Sequence, residues 1–236
     1  MTEDRKELKE KIAGMVRMLA VGEILTLMKG HLSYRIPGTN EILIMGHAHI
    51  QGKTLAQATS DDIVTIDLEG NLLEGNIQPP GEKFIHTAIY QKRKDVGAVV
   101  HGHPETSLAF SAAGVEIIPV HHMAVPFEPS VEILDFPGQV DTKESGLVVA
   151  EALKDRFGLM LRGHGVVVVG LDAEDACCNA LELELNAKIQ LQASILGTPR
   201  PVTREQCLKR PDGTWNKTSS PWNYYREKYW QELATK

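Results

Sequence analysis

The chain has 236 residues, of which 42% are hydrophobic and 24% are charged, and its formal net charge is −6. This composition is typical of a globular protein, and the length fits one domain or at most two. A pI near 5.9 excludes the basic face that nucleic-acid binding requires, and no apolar run reaches the roughly 18 residues of a membrane span. The charged N-terminus lacks the pattern of a signal peptide, so we expect a cytoplasmic protein.

The first part of the chain is predicted to be one helix followed by short strands. Leu8, Ile12, Met15 and Leu19 recur at helical spacing, which predicts an amphipathic helix ending near 28–30, where glycine is a usual stop. The pattern then changes to that of strands separated by turn residues, at 32–34, 41–45 and 63–67.

From residue 79 onward, strands and helices alternate. The predicted helices cover 82–93, 104–113, 143–157 and 172–196, and the predicted strands cover 97–100, 117–120, 159–162 and 166–170. The Pro-rich stretch 125–141 is typical of a loop, and aromatic residues at 222–230 predict a final docking helix. Because there is no internal repeat or long linker, we expect one layered α/β domain over 1–236, with a C-terminal segment of about 197–236 packing over it.

Histidine is the residue type that stands out. The three cysteines cannot form a disulfide framework, and two of them are adjacent in a predicted helix. Four of the nine histidines form two His-x-His pairs, which indicates a metal site. His47 and His49 fall on a predicted loop and are the weaker candidates, as contacts to a substrate.

The stronger pair, His101 and His103, lies at the end of an apolar strand, whose period places both imidazoles on one face. His164 lies between two glycines at a tight turn, where small neighbours let an imidazole reach a metal. Three histidines with an open fourth position are typical of a catalytic metal site. The alternative is that they are satisfied histidines of a half-buried strand and a turn.

Glu82 follows a Pro-Pro-Gly sequence at the first turn of a predicted helix. The helix dipole and the free amides favour a carboxylate there, so a purely stabilising role accounts for it. A catalytic role for Glu82 depends on the rest of the pattern.

Two segments carry a resemblance to a known family: PPGEKFIHTAIYQKRKDVGAVVHGHPETSLAFSAAG and LRGHGVVVVGLDAEDACCNALELELNAKIQLQA. They resemble the class II aldolase/adducin family, which includes sugar-phosphate aldolases, an epimerase and metal-dependent decarboxylases. The resemblance implies an α/β fold, a single-domain layered α/β/α sandwich around a central, mainly antiparallel sheet. It implies that His101, His103 and His164 ligate one divalent metal ion per subunit. It also implies that Glu82 is the catalytic acid/base and that a tetramer-type homo-oligomer has active sites at its subunit interfaces.

The sequence departs from the family's sugar-phosphate aldolases in the segments that cradle phosphate there. Those segments read Gly-Asn-x-Ser, Ser-Gly and Ser-Ser, whereas here they read Gly-His-Leu-Ser at 30–33, Met-Gly at 45–46 and Pro-Gly at 80–81. Fewer hydroxyl and amide donors would leave phosphate oxygens unsatisfied, so we expect a substrate without phosphate.

His31 and Arg35 remain in the first of these segments as candidate contacts to a carboxylate substrate, with an ordinary surface charge as the alternative for Arg35. His121 and His122 fall where the phosphate aldolases carry a tyrosine that donates a proton from a neighbouring subunit. Since histidine can do this near neutral pH, His122 is a candidate catalytic residue and His121 a candidate substrate contact. The alternative for both is a polar loop edge.

The leading hypothesis is a metal-dependent decarboxylase of an ortho-hydroxylated aromatic dicarboxylate, in which Glu82 or a histidine proton quenches the carbanion. The same site serves retro-aldol cleavage of a non-phosphorylated hydroxy-keto acid or sugar acid, which is the alternative. A third hypothesis is a noncatalytic, adducin-like interaction protein. A ferrous oxygenase is a further one, because three imidazoles do not select among zinc, manganese, cobalt and iron.

Overall fold

A computed structural model of the chain describes residues 5–26, 29–47, 54–208 and 221–234. The helices are α1 (Arg5–Val21), α2 (Lys83–Lys92), α3 (Glu105–Ala113), α4 (Lys143–Leu153), α5 (Ala173–Leu196), α6 (Arg204–Leu208) and α7 (Trp222–Ala234). The strands are β1 (His31–Arg35), β2 (Ile42–Met45), β3 (Ile63–Ile66), β4 (Leu72–Glu74), β5 (Ala98–Gly102), β6 (Glu132–Leu134), β7 (Gly158–Leu161) and β8 (Gly165–Gly170).

The strands form one mixed sheet in the order β4-β3-β2-β1-β5-β8-β7-β6. Neighbouring strands are antiparallel except β6 and β7, which are parallel. In the middle of the sheet, His31 of β1 pairs with His101 of β5, and His101 pairs on its other side with Val167 of β8. The histidine-bearing strand therefore has a neighbour on each side.

Helices cover both faces of the sheet. Helices α1, α3, α5 and α7 bury apolar side chains against one face, and α2 and α4 pack together against the other. Successive residues of β5 alternate between these layers, with Val100 in the first and Val99 in the second. This is the predicted α/β/α sandwich around a mainly antiparallel sheet. In the described ranges, no helix combines the length and apolar character that crossing a membrane requires.

The first helix is shorter than predicted, because it ends at Val21 and not near 28–30. Glu23 leaves the helical path with a φ of 61°. Ile24 is fully buried in the turn that follows, and its carbonyl accepts a hydrogen bond from the backbone N–H of His103 at 2.9 Å. Ile24 was predicted as part of the helix because it is apolar, but in the structure it holds the chain against the end of β5.

The predicted strand over 117–120 is not part of the sheet, although Ile117 forms a single bridge with Val131. Two amide side chains of α5, Asn186 and Gln190, each donate one hydrogen bond to the backbone of this segment and accept one from it, at 2.8–3.1 Å. A carboxamide offers both a donor and an acceptor, so these side chains take the place of a neighbouring strand.

Two short edge strands were not predicted. β6 falls within the stretch 125–141 that was predicted as a loop, and β4 follows a turn in which the Asp67 carboxylate accepts hydrogen bonds from the backbone of Glu69 and Asn71. Strands this short offer too few positions for the alternation of a strand to be visible in the sequence.

Replacing Asn186 with alanine is expected to destabilise the protein by about 2–3 kcal/mol, because two partly buried backbone groups lose their partners. Urea unfolding followed by circular dichroism gives the free energy of unfolding. The exposed Gln192 on the same helix provides the control, Gln192→Ala, whose effect should stay below about 0.5 kcal/mol. An Asn186→Ala variant as stable as this control would contradict the strand-replacing role.

Candidate metal centre and active site

Three parts of the fold meet at one end of the central strands. β5 carries His101, with His103 just beyond it, the turn between β7 and β8 carries His164, and Glu82 directly precedes α2. The potential ligand atoms of these four residues all lie within 4.8 Å of one another. The structure thus brings together the residues that the sequence motif predicted as metal ligands and acid/base.

His101 is fully buried, and one hydrogen bond determines which of its nitrogens faces the centre. Its Nδ1 lies 3.0 Å from the carbonyl oxygen of Val166. Since a carbonyl only accepts, Nδ1 carries the proton and Nε2 presents a lone pair. This Nε2 is buried without a hydrogen-bond partner and lies 3.4 Å from Oε2 of Glu82. A buried lone pair that faces a carboxylate fits a ligand to a metal cation.

Glu82 faces two imidazoles at once. Besides its contact with His101, its Oε1 lies 3.4 Å from Nε2 of His164 and accepts a hydrogen bond from the backbone N–H of Val140 at 3.0 Å. Burial by itself would raise the pKa of Glu82, but its polar neighbours, among them this N–H, lower it below its usual value. Burial also lowers the pKa of His103 to about 3. An ionised carboxylate and neutral imidazoles are the protonation states that bind a divalent cation.

Two glycines allow the backbone to approach this closely. A Cβ on Gly165 would lie 2.5 Å from the carbonyl oxygen of Gly102 and 2.8 Å from Cδ2 of His103. Gly30 has a φ of 95°, and a Cβ there would lie 2.7 Å from the carbonyl oxygen of His101. Residues that look like ordinary turn glycines in the sequence therefore also set the spacing of the centre.

His31 lies beside the centre without belonging to the group of ligand atoms. Its ring centroid is 5.3 Å from that of His101, and its Nδ1 lies 2.7 Å from Nε2 of His86. Its electrostatic neighbours include Glu82 and His103. This position is compatible with a contact to bound substrate, which stays a prediction.

Three buried polar residues, which were not predicted from the sequence, form a series of contacts from His31 into the core. Nδ1 of His86 lies 2.6 Å from Oγ of Ser33, which in turn lies 2.7 Å from the hydroxyl of Tyr90. Burial lowers the pKa of His86 to about 3 and raises that of Tyr90, so both groups are neutral. The spacing in the sequence could have indicated these residues. Glu82, His86 and Tyr90 are four residues apart, as on one face of a helix, and His31 and Ser33 are two apart, as on one face of a strand.

Arg35 is placed away from the centre, so the predicted contact between Arg35 and a substrate carboxylate receives no support. It lies at the far end of β1 from His31, about 13 Å along the strand. Its Nη2 donates to the carbonyls of Tyr90 and Arg93, each at 2.8 Å, and its guanidinium lies 4.6 Å from the centre of the Tyr90 ring. The physical reason is that Arg35 satisfies carbonyls at the C-terminal end of α2.

His121 and His122 are not part of the group of ligand atoms. His121 Nε2 lies 3.6 Å from Oε2 of Glu182, and the Tyr225 hydroxyl donates to Oε1 of the same carboxylate at 2.7 Å. Burial raises the pKa of Glu182 and lowers that of His121, while His122 is exposed. The catalytic role of His122 and the substrate contact of His121 stay predictions, because both require a second subunit.

Of the other His-x-His pair, at 47 and 49, His47 is not part of the group of ligand atoms. The backbone N–H of His47 donates to the carbonyl of Gln78 at 3.0 Å, and His49 lies outside the described residues.

The fold and the centre together define a class of protein: an α/β/α enzyme scaffold with a three-histidine, one-carboxylate cluster at the end of a central strand. The profile of the class II aldolase and adducin N-terminal domain matches residues 10–191. The chain belongs to this family, and it is assigned to the lyases of the class II aldolase superfamily.

Similar proteins include both decarboxylases and aldolases. A 3,4-dihydroxyphthalate decarboxylase of Arthrobacter keyseri is 29% identical over an alignment 239 residues long, which covers 92% of this chain and 91% of that protein. An L-fuculose phosphate aldolase of Methanocaldococcus jannaschii is 37% identical over 143 residues, which cover 59% of this chain and 75% of that protein. A crystal structure of an aldolase II superfamily protein from Pseudomonas syringae has a TM-score of 0.79 at 22% identity, covering 100% of this chain and 95% of the other, and this likeness shows the fold.

The His101→Gln variant is expected to lose its metal, because the buried lone pair at the centre disappears. Elemental analysis of purified protein should fall from about one divalent ion per chain to below about one tenth. His122→Gln, which removes a histidine outside the group of ligand atoms, is the matched control and should retain the ion. Equal metal content in His101→Gln and the control would rule out the assignment of His101 as a ligand.

Proposed function

We propose that this protein is a divalent-metal-dependent decarboxylase of an ortho-hydroxylated aromatic dicarboxylate, a compound of the dihydroxyphthalate type. The observation that carries the proposal is the position of Glu82 within a group of three imidazoles that could hold a metal ion, with a further imidazole, His31, as the polar side chain next to it. The similarity to the dihydroxyphthalate decarboxylase supports it, because that similarity extends over 92% of the chain.

The surroundings of the centre favour a carboxylate over a phosphate. His31 already uses Nδ1 in its contact with His86, so one nitrogen remains for a substrate. The other two segments that hold phosphate in the sugar-phosphate aldolases, Met-Gly at 45–46 and Pro-Gly at 80–81, contribute no side-chain hydroxyl or amide. A phosphate dianion requires more donors than this, whereas a carboxylate is satisfied by fewer.

In this proposal, His101, His103 and His164 would hold a divalent ion, which would supply Lewis acidity at the substrate hydroxyl. Glu82 accepts the proton of the substrate hydroxyl, and the N–H of Val140 keeps its carboxylate in place. Glu82 then returns this proton to the ring carbon that keeps the bonding electron pair when carbon dioxide leaves. The product phenolate takes up one proton from His122 of a neighbouring subunit, and water returns a proton to that imidazole, which balances the reaction.

The proposal includes a homo-oligomer of tetramer type in which neighbouring subunits share each site. His122 is exposed, whereas the adjacent His121 is held against Glu182 on α5. An exposed imidazole next to an anchored residue is well placed to reach a neighbouring subunit and donate a proton there.

Retro-aldol cleavage of a non-phosphorylated hydroxy-keto acid is the second candidate. It is favoured by the 37% identity to an L-fuculose phosphate aldolase over 59% of the chain, and it would use the same acid/base. The leaving fragment distinguishes the two, since it is an aldehyde in one reaction and carbon dioxide in the other. The intact group of Glu82 and three histidines weighs against a noncatalytic, adducin-like role.

With each of zinc, manganese, cobalt and iron supplied, the protein is expected to release carbon dioxide from one member of a panel of ortho-hydroxylated aromatic dicarboxylates. Aldehyde formation from non-phosphorylated keto acids and oxygen uptake are followed in parallel. Aldehyde without carbon dioxide would replace the proposal with the aldolase function, and oxygen consumption would replace it with an oxygenase.

Glu82→Gln is expected to retain the metal but to lower turnover by about 10²–10⁴-fold, because the amide cannot accept and return a proton. Elemental analysis and the product assay are made on the same preparation, with the exposed Glu151→Gln as the matched control. Turnover close to that of the control, at full metal content, would remove Glu82 from the mechanism.

Mixed oligomers test whether subunits share a site. Glu82→Gln and His122→Gln are each expected to be inactive alone, while equal mixtures refolded together should recover about one quarter of wild-type activity, since that fraction of sites receives both intact residues. Glu82→Gln refolded with itself is the control. No recovery in the mixture would count against a site that takes Glu82 and His122 from different subunits.

A further inference from the structure

A continuous chain of four buried side chains leads away from the metal centre. It runs from His31 through His86 and Ser33 to Tyr90, with distances of 2.7, 2.6 and 2.7 Å between successive polar atoms. The chain joins alternate residues of β1 to residues one helical turn apart on α2. His31 is 6% exposed and the other three are fully buried, so the chain exchanges no hydrogen bonds with bulk water along its length.

Each of the three contacts holds one proton. Either all four groups are oriented in the same direction, or Ser33 Oγ accepts from both His86 and Tyr90, which leaves its own proton without an acceptor among the described residues. In one direction, Tyr90 donates to Ser33, Ser33 donates to Nδ1 of His86, and Nε2 of His86 donates to Nδ1 of His31. His31 then carries its own proton on Nε2. In the opposite direction every donor and acceptor is exchanged, and His31 carries its proton on Nδ1.

The Tyr90 end decides between these directions. The fully buried Tyr90 hydroxyl has two hydrogen-bond partners among the described residues, Ser33 Oγ and the backbone of Val99. The bond with Val99 lowers the pKa of Tyr90, as a donating N–H does, so Ser33 Oγ is the acceptor for the Tyr90 proton. In the opposite direction this hydroxyl would receive a hydrogen bond from Ser33 and have no acceptor for its own proton. A buried donor without an acceptor costs free energy that the first direction avoids.

The His31 end is the one that opens toward the centre. With Nδ1 committed to His86, Nε2 is the remaining nitrogen, and it has no partner among the described residues and is not sealed from solvent. The charged or ligating neighbours of this ring are Glu82, His101 and His103. A protonated Nε2 cannot bind a metal, but it can donate a hydrogen bond to an oxygen atom next to one.

We propose that Tyr90, Ser33 and His86 are positioning residues that fix His31 with its proton on Nε2, so that it donates to a carboxylate oxygen of the substrate beside the metal. This inference rests on the proposed function, because it assigns a donor for the second carboxylate of an aromatic dicarboxylate. A carboxylate is the strongest acceptor available to a neutral N–H donor, so the chain selects substrates with such a group at this position.

The first test needs no substrate. Nitrogen-15 spectra of protein containing ¹⁵N-histidine distinguish the two neutral tautomers, and difference spectra with His31→Gln and His86→Gln assign the signals. We expect His31 and His86 both protonated on Nε2, and a mixture of tautomers in Ser33→Ala, which removes the donor to His86 with little change in volume. His31 protonated on Nδ1, or a Ser33→Ala spectrum identical to that of the wild type, overturns the proposal.

The second test measures binding by the metal-loaded protein with two probes, phthalate and benzoate. Ser33→Ala is expected to weaken phthalate binding about tenfold while changing benzoate binding less than about twofold, because benzoate has no second carboxylate. Tyr90→Phe provides a second variant of the chain, and Ser194→Ala, a serine of α5 that donates to the Gln190 carbonyl, is the matched control. Unchanged phthalate binding in both chain variants, at full metal content, overturns the donor role.

These outcomes are distinct from the failure of the proposed function. Absence of carbon dioxide from every dicarboxylate would reject decarboxylation, whereas the tautomers of His31 and the binding of phthalate are measured without turnover.

Discussion

Residues two apart on a β-strand are separated by about 6.6 Å, and residues four apart on a helix by about 6.0 Å. Because these repeats nearly match, α2 lies along β1 with its polar side chains between those of the strand. Arg35 binds the carbonyls at one end of the helix, and His31 contacts His86 toward the other end. This alignment places Glu82, which precedes α2, next to His101 on the neighbouring strand. The position of Glu82 relative to the three histidines thus depends on how one helix is aligned with one strand.

The three histidines of the candidate metal centre could be predicted because adjacent residues indicate each of them: strand alternation for His101 and His103, and flanking glycines for His164. The layered fold followed from the alternation of strands and helices. The polar chain behind the centre could not be predicted, because His31 and His86 are 55 residues apart and no local pattern shows that β1 and α2 pack together. Arg35 was predicted to contact a substrate carboxylate, because a guanidinium suits that group. Its partners are backbone carbonyls, which are known only once the position of α2 is known.

The segment 117–120 was wrongly predicted as a strand for a related reason. Its sequence has the character of a strand, but its hydrogen-bonding partners are the side chains of a stripe on α5, in which Glu182, Asn186 and Gln190 are four residues apart. A carboxylate has no donor, so Glu182 cannot repeat what the two amides do. It accepts from Tyr225 of α7 instead and lies close to His121. The C-terminal helix is thereby connected through one buried carboxylate to the segment that precedes His122.

The hydrogen bond from Val140 to Glu82 comes from the main chain and not from a side chain. Nineteen of the twenty amino acids have this N–H, and proline alone lacks it. The N–H that holds Glu82 can therefore persist when the side chain at this position changes to another apolar one that fits its buried site. What selection would preserve here is the path of the backbone between β6 and α4, which a sequence records only indirectly.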